Sequence, residues 1–302
     1  MTSSTPRASW DLAEGDEIAP GRSVLRVLGG GSAYEVFLVW DAHLAALAVA
    51  KVLRPDHVED EGSRRDLSRE AELLTGLAHP VLIRGFDAVL DGEYPHVLIE
   101  HMEGPSLHDL LRRSGGTLDL QQLLPLAVHV ASALAHLANE GIVHLDVKPD
   151  NIIMGVPPCL IDLSVARSVE RATRLRSAVG TDAYMAPEQC DPKVRGPVGT
   201  PADVFGLGAT LFSAIAGRRP FPREKADRDS EVAHVRWPQL RHEADPLPER
   251  TPRAMRDLVT EMLDADPAIR PSAIEVIERL EPLVGELPRK MVLAKRGSRW
   301  SS

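Results

Sequence analysis

The chain has 302 residues, of which 43% are hydrophobic and 26% charged, close to the averages of folded globular proteins and far from those of disordered ones. Its net charge of -9 argues against a general nucleic-acid binder, which carries a basic excess. Its two cysteines, Cys159 and Cys190, exclude a secreted disulfide framework, and no zinc-ligand spacing surrounds them.

Residues 1–22 are polar, with Ser, Thr, Pro and an acidic cluster, and read as a flexible extension. They lack the basic start and apolar run of a secretory signal. From Ser23 to Leu53, short apolar and β-branched runs are broken by Gly29-Gly30-Gly31 and by Asp41 to His43, which predicts three strands. Over 64–77 the period changes: Leu67, Ala71, Leu74 and Leu77 fall at three- and four-residue spacing, the pattern of an amphipathic helix. Val81 to Val89 and Pro95 to Met102 read as two further strands. After Gly104 helical periods take over, with a long helix predicted over Leu118 to Glu140, short strands near Ile142 and over Ile152 to Ile161, and helices over 201–216, 252–263 and 272–284. Ser272 with Glu275 forms a capping box at the start of the last one. The change of period divides the core, 23–284, into a strand-rich part over 23–102 and a helical part over 103–284, followed by a basic, solvated tail over 285–302. The longest apolar stretches, Leu123 to Ala138 and Val204 to Ala216, are shorter or more interrupted than the roughly 20 residues a bilayer requires. No membrane span and a cytoplasmic location are therefore expected.

Three groups of residues carry chemistry. Leu28-Gly29-Gly30-Gly31, running on to Val36, places glycines between two strands, where backbone N–H groups can approach a phosphate. It is not a dinucleotide fingerprint, because a strand follows it, and it lacks the Gly-Lys-Ser/Thr of a P-loop. Lys51 ends a mostly apolar strand, where an unpaired ammonium is costly. A nucleotide phosphate and Glu70, on the polar flank of the amphipathic helix, are its two candidate partners. His144-Leu145-Asp146-Val147-Lys148-Pro149-Asp150-Asn151, followed by Asp162 after an apolar run, supplies what phosphoryl transfer needs. Asp146 is the carboxylate base, Asn151 and Asp162 are oxygen ligands for a metal, and Lys148 is the cation against the developing charge.

With these residues the chain resembles the eukaryotic-type protein kinases, in particular their bacterial serine/threonine branch, over about residues 23–284. Further matches are Ala186-Pro187-Glu188, Asp203-Val204-Phe205-Gly206-Leu207-Gly208 and Asp266-Pro267 with Arg270-Pro271. The resemblance implies an α+β, two-lobed fold with ATP bound between the lobes, Mg2+ or alternatively Mn2+ as the metal, and proteins as substrates. It assigns Leu28, Gly29, Gly30, Gly31, Val36, Lys51 and Glu70 to ATP binding, with Ile99 as gatekeeper and the backbone of Glu100 and Met102 facing adenine. It also implies an ion pair between Glu188 and Arg270 bracing the substrate platform. Lys148, and Gly180-Thr181 before Tyr184, resemble the serine/threonine rather than the tyrosine kinases.

The chain departs from the family pattern at four places. Tyr34 stands at the third loop glycine, Val49 at the strand alanine, and Asp162-Leu163-Ser164 at Asp-Phe-Gly. Leu145 replaces the arginine that clamps an activation-loop phosphate in the family, and a leucine cannot make charge-assisted bonds. Little dependence on activation-loop phosphorylation is expected, although Thr173 and Ser177 lie among Arg167, Arg171, Arg174 and Arg176. A pseudokinase scaffold is disfavoured because Lys51, Asp146, Asn151 and Asp162 are all present. A small-molecule phosphotransferase is disfavoured by Ala-Pro-Glu and Arg270. A regulatory protein partner or self-association stays open.

Overall fold

The computed structural model of the chain describes residues 8–224, 227 and 229–287. Its first part is an antiparallel sheet of β1 (Glu17–Ala19), β2 (Arg22–Gly30), β3 (Tyr34–Asp41), β4 (Ala46–Leu53), β5 (Gly85–Val89) and β6 (His96–Glu100), in the order β1-β2-β3-β4-β6-β5. Alternation along the strands sorts side chains to two faces. Val24, Phe37, Val39, Ala48, Ala50 and Val52 form one apolar cluster. Leu53 turns to the other face, against Leu67, Ala71 and Leu74 of α1 (Glu61–Gly76). Lys51, between Ala50 and Val52, is thereby aimed at α1. This helix starts earlier than its apolar period predicts, because the Asp60 carboxylate accepts from Ser63 N–H and caps it.

The helical part contains α2 (Leu107–Arg113), α3 (Leu120–Asn139), α4 (Val169–Thr173), α5 (Pro187–Cys190), α6 (Pro192–Arg195), α7 (Pro201–Ala216), α8 (Ala233–Arg236), α9 (Arg253–Met262) and α10 (Ala273–Gly285). Two small antiparallel pairs join them: β7 (Ile142–Val143) with β10 (Arg167–Ser168), and β8 (Ile152–Ile153) with β9 (Cys159–Leu160). Every residue of α7 from Ala202 to Ile215 is buried. Two close approaches depend on its glycines: a Cβ on Gly206 would lie 3.0 Å from Val147 O, and one on Gly208 2.9 Å from Met262 Cβ. The two parts are the small and large lobes of a two-lobed α+β fold.

Four expectations from the sequence need correction. Residues 8–22 are not a loose extension: Trp10 and Leu12 pack on the outer sheet cluster, and β1 pairs with β2. Residues 1–7 lie outside the described residues. Val81 to Ile83 do not continue β5, because Leu160 N donates to Val81 O and Ile83 N donates to Leu160 O, tying them to the large lobe instead. The segment α3 is 20 residues long with mean hydropathy 1.3, so by length and composition it could cross a bilayer. Here Leu123, Leu126, Val130, Leu134 and Leu137 are instead buried within the large lobe, and α3 packs on α7 and α10. Finally, the expected tail boundary at 285 falls inside the fold: Gly285 ends α10 and Leu287 packs on the core. The basic residues of the tail, from Arg289 on, lie outside the described residues.

Candidate active site

Between the lobes lies a cleft of about 1030 Å³. Its roof is Leu28, Gly30, Gly31, Val36 and Val49, its rear wall Ile99, Glu100 and Met102, and its floor Ile153 and Ile161. Gly29, in the β2–β3 ladder opposite Val36, does not line it. The cleft is apolar at one end, suited to a flat ring, and ionic at the other, where Lys51, Glu70, Asn151 and Asp162 converge.

At that ionic end Lys51 Nζ donates to Glu70 at 2.8 and 3.1 Å and to Asp162 Oδ1 at 2.7 Å. One ammonium from β4 thus holds a carboxylate of α1 in its own lobe and one of the large lobe. Burial opposes ionisation of all three groups. For Lys51 the two carboxylates outweigh it and raise the pKa well above the usual lysine value. For Asp162 the Lys51 ammonium outweighs burial and holds the carboxyl below the usual range. Glu70 is raised by its burial, partly offset by Lys51. The Tyr34 ring covers Lys51 with its centroid 4.7 Å from Nζ, and its buried hydroxyl has no partner among the described residues.

Asp146 sits in a loop held from below. The carboxylate of Asp203, at the start of α7, accepts from His144 N and Leu145 N, each at 2.7 Å. Burial raises the Asp203 pKa against the pull of His144 and these two N–H groups. Leu145 is 2% exposed and takes φ 69°, a left-handed conformation costly for a leucine, which the Asp203 bonds and a 2.8 Å bond from Gln189 Nε2 to Leu145 O sustain. The next residue, Asp146, does not itself line the cleft but is bonded to Asn151, which does. Asp146 Oδ2 accepts from Lys148 Nζ at 2.6 Å and from Asn151 Nδ2 at 3.0 Å. Its Oδ1, though buried, has no partner among the described residues. Lys148 Nζ also donates to Thr181 Oγ1 at 2.7 Å, linking this loop to the segment before α5.

Below that segment Arg270 grips both oxygens of Glu188, at 2.6 and 2.9 Å, with side chains 0% and 2% exposed. This pair is remote from the cleft and supports the surface beside it. Neighbouring Asp182 accepts from Trp237 Nε1 at 2.9 Å and from Arg223 at 3.1 Å, and also binds Arg236. Sequence reasoning assigned no role to Gln189 or Asp182, and missed the bonds Asp203 makes. Each depends on partners 41 to 59 residues away, which no local pattern signals.

The donors at the floor fit a hard divalent cation. Asn151 spends its amide nitrogen on Asp146, leaving its carbonyl oxygen for a ligand. Asp162 spends Oδ1 on Lys51 and Ser164 N, leaving Oδ2. Among the described residues no cluster of three or more His, Cys, Asp or Glu could make a complete metal cage. Two oxygen ligands fit an ion whose remaining shell is water and phosphate.

Residues 22–280 match the protein kinase domain family. The chain is 31% identical to the serine/threonine-protein kinase pkn2 of Myxococcus xanthus over 89% of its own length and 33% of that protein's. It is 31% identical to the serine/threonine-protein kinase PrkC of Bacillus subtilis, over 70% of this chain and 33% of the relative. It is 33% identical to a probable serine/threonine-protein kinase, PkwA, of Thermomonospora curvata, over 89% of this chain and 35% of the relative. The chain therefore spans about a third of the length of these curated relatives.

Proposed function

This chain belongs to the protein kinase family, and on that premise we propose that it transfers the γ-phosphoryl group of ATP to serine and threonine hydroxyls of proteins in the cytoplasm. The family implies ATP and a divalent cation, which we take to be Mg2+, with Mn2+ as the second candidate. The observation that carries the reading is the asymmetry of Asp146. One carboxylate oxygen is fixed by Lys148 and Asn151, while the other has no partner among the described residues and is left to accept a proton. An incoming hydroxyl that donates to Oδ1 is oriented for in-line attack and loses its proton there as the new bond forms.

The other residues take roles that their positions support. Leu28 and Val36 enclose the base, which the backbone of Glu100 and Met102 meets. The loop at Gly30 and Gly31 covers the phosphates, with Gly29 beside it in the β2–β3 ladder. Lys51, kept charged by Glu70 and Asp162, orients the phosphate chain. Asn151 and Asp162 would hold the cation, which would neutralise charge on the phosphate oxygens. Lys148, bridging Asp146 and Thr181, places a positive charge beside the transferring group, and Glu188 with Arg270 holds the platform on which the acceptor peptide lies. A pseudokinase reading has less support because Lys51, Asp146, Asn151 and Asp162 are all present.

Asp146→Asn is expected to lower kcat by about 10²- to 10⁴-fold with the affinity for MgATP unchanged, since the base acts in the transition state. Lys51→Met should lower turnover comparably. Phosphorylation of a protein acceptor, followed by mass spectrometry, decides. Near-normal turnover in either variant would reject these roles, and transfer to small-molecule hydroxyls alone would reject the substrate class.

A further inference from the structure

The segment Ala8 to Trp10, just ahead of the sheet, is bonded to the two charged residues that lie beneath the glycine loop. Ser9 Oγ donates to Glu35 Oε1 at 2.8 Å and Trp10 N to Glu35 Oε2 at 2.9 Å, so both oxygens of this buried carboxylate are engaged. Arg54, also buried, lies 3.4 Å from Glu35 Oε1 and donates to Ala8 O at 2.8 Å. Its remaining reach is spent on the loop. Nε donates to Gly31 O at 3.0 Å, the Arg54 backbone N donates to Ala33 O at 2.9 Å, and Nη2 is 3.3 Å from where a Gly30 Cβ would be. Trp10 anchors the segment. Its Nε1 donates to Leu53 O at 2.7 Å and its ring meets Tyr94 edge-on at 4.7 Å.

We infer that Arg54 is a positioning residue for the ATP phosphates, holding the glycine loop through Gly31, and that Glu35 and the Ala8–Trp10 strap hold Arg54 in place. A buried guanidinium needs its carboxylate, and that carboxylate is oriented by Ser9 and Trp10. The chain of contacts thus runs from an exposed serine to a loop carbonyl over the nucleotide site. A loop ordered in advance costs less to order on binding, so the brace acts on affinity. It acts at Gly30 and Gly31 and therefore on phosphates rather than on the adenine end.

The inference rests on the nucleotide-site reading, and the test separates the two. MgATP and adenosine affinities are measured by calorimetry for wild type, Arg54→Met, Trp10→Ala and Trp10→Phe, with thermal unfolding of each. Arg54→Met and Trp10→Ala should weaken MgATP by roughly three- to tenfold, the scale of one lost hydrogen bond, and leave adenosine within about twofold. Trp10→Phe keeps the packing on Tyr94 and should recover part of the loss. Equal weakening of both ligands would make the strap merely structural and overturn the inference, as would unchanged MgATP affinity in folded variants. Wild type that binds adenosine and MgATP alike would show that no phosphates are held there, and would overturn the nucleotide-site reading along with the brace.

Discussion

At the scale of single residues, the large lobe holds a buried charge pair outside the cleft, Arg270 with Glu188. Arg270 donates to both Glu188 oxygens, to Pro201 O and to Asp264 O, and stacks over Phe205 with 5.0 Å between guanidinium carbon and ring centroid. A fork of five donors suits this set of acceptors, and a lysine does not. Arg270→Ala leaves Glu188 buried without compensation and should cost about 3–5 kcal/mol of unfolding free energy. Arg270→Lys should recover only part of that. Urea unfolding checks both, and a loss below about 1 kcal/mol for Arg270→Ala, the value of an exposed pair, would show that water reaches Glu188.

At the scale of elements, the segment from Asp162 through α4 to α5 is the place where control by phosphorylation would act. Thr173, at the end of α4, and Ser177 are exposed, and the Thr173 hydroxyl donates to Glu170 O at 2.8 Å. The residue beside Asp146 that would have to clamp a phosphate is Leu145, buried and apolar. Arg174 is already paired with Glu170 at 2.7 Å in solvent, and exposed pairs are typically worth about 0–1 kcal/mol. A phosphate here has little with which to shift a conformational equilibrium, since a strong switch needs several kcal/mol. Thr173→Ala combined with Ser177→Ala, and protein stripped by phosphatase, should both keep activity within a few-fold of the untreated chain. A loss of about a hundredfold, nearly 3 kcal/mol, would assign the clamp to Arg167 and Arg69. Burial, and then the Arg69 charge, lower the Arg167 pKa, and a phosphate between the two guanidiniums would relieve that repulsion.

At the scale of the whole molecule, the Lys51 to Asp162 bond joins the two lobes across the nucleotide site. A nucleotide with its cation would add bonds to both lobes at this seam and stabilise the folded state by mass action, about 2.7 kcal/mol at a hundred times Kd. A melting temperature several degrees higher is expected with MgATP. With EDTA present, ATP alone should give a much smaller shift, because Asp162 and the phosphates then repel. Asp162→Asn should narrow the gap between the two conditions. Equal shifts with and without the cation would show that the floor of the cleft holds no metal.

The sequence by itself determined most element types and pointed to the residues that gather at the candidate site. Periods of two and of three to four separated the small lobe from the large one, because each period buries one face of its own kind of element. The spacing of Asp146, Lys148, Asn151 and Asp162 was legible because a short loop and a short hairpin hold them close together. What only the tertiary structure decided are pairings over long distances. Asp203 holds the Leu145 backbone, Gln189 takes its carbonyl, and the strap at Ala8 to Trp10 reaches Glu35 and Arg54. A polar stretch reads as loose by composition, but Trp10 gains an apolar surface and a backbone acceptor only once the sheet exists. Likewise Val81 to Ile83 carry a strand pattern, yet their hydrogen bonds go to Leu160 in the other lobe. A local pattern states what a segment must bury or pair, and the folded chain decides which partner satisfies it.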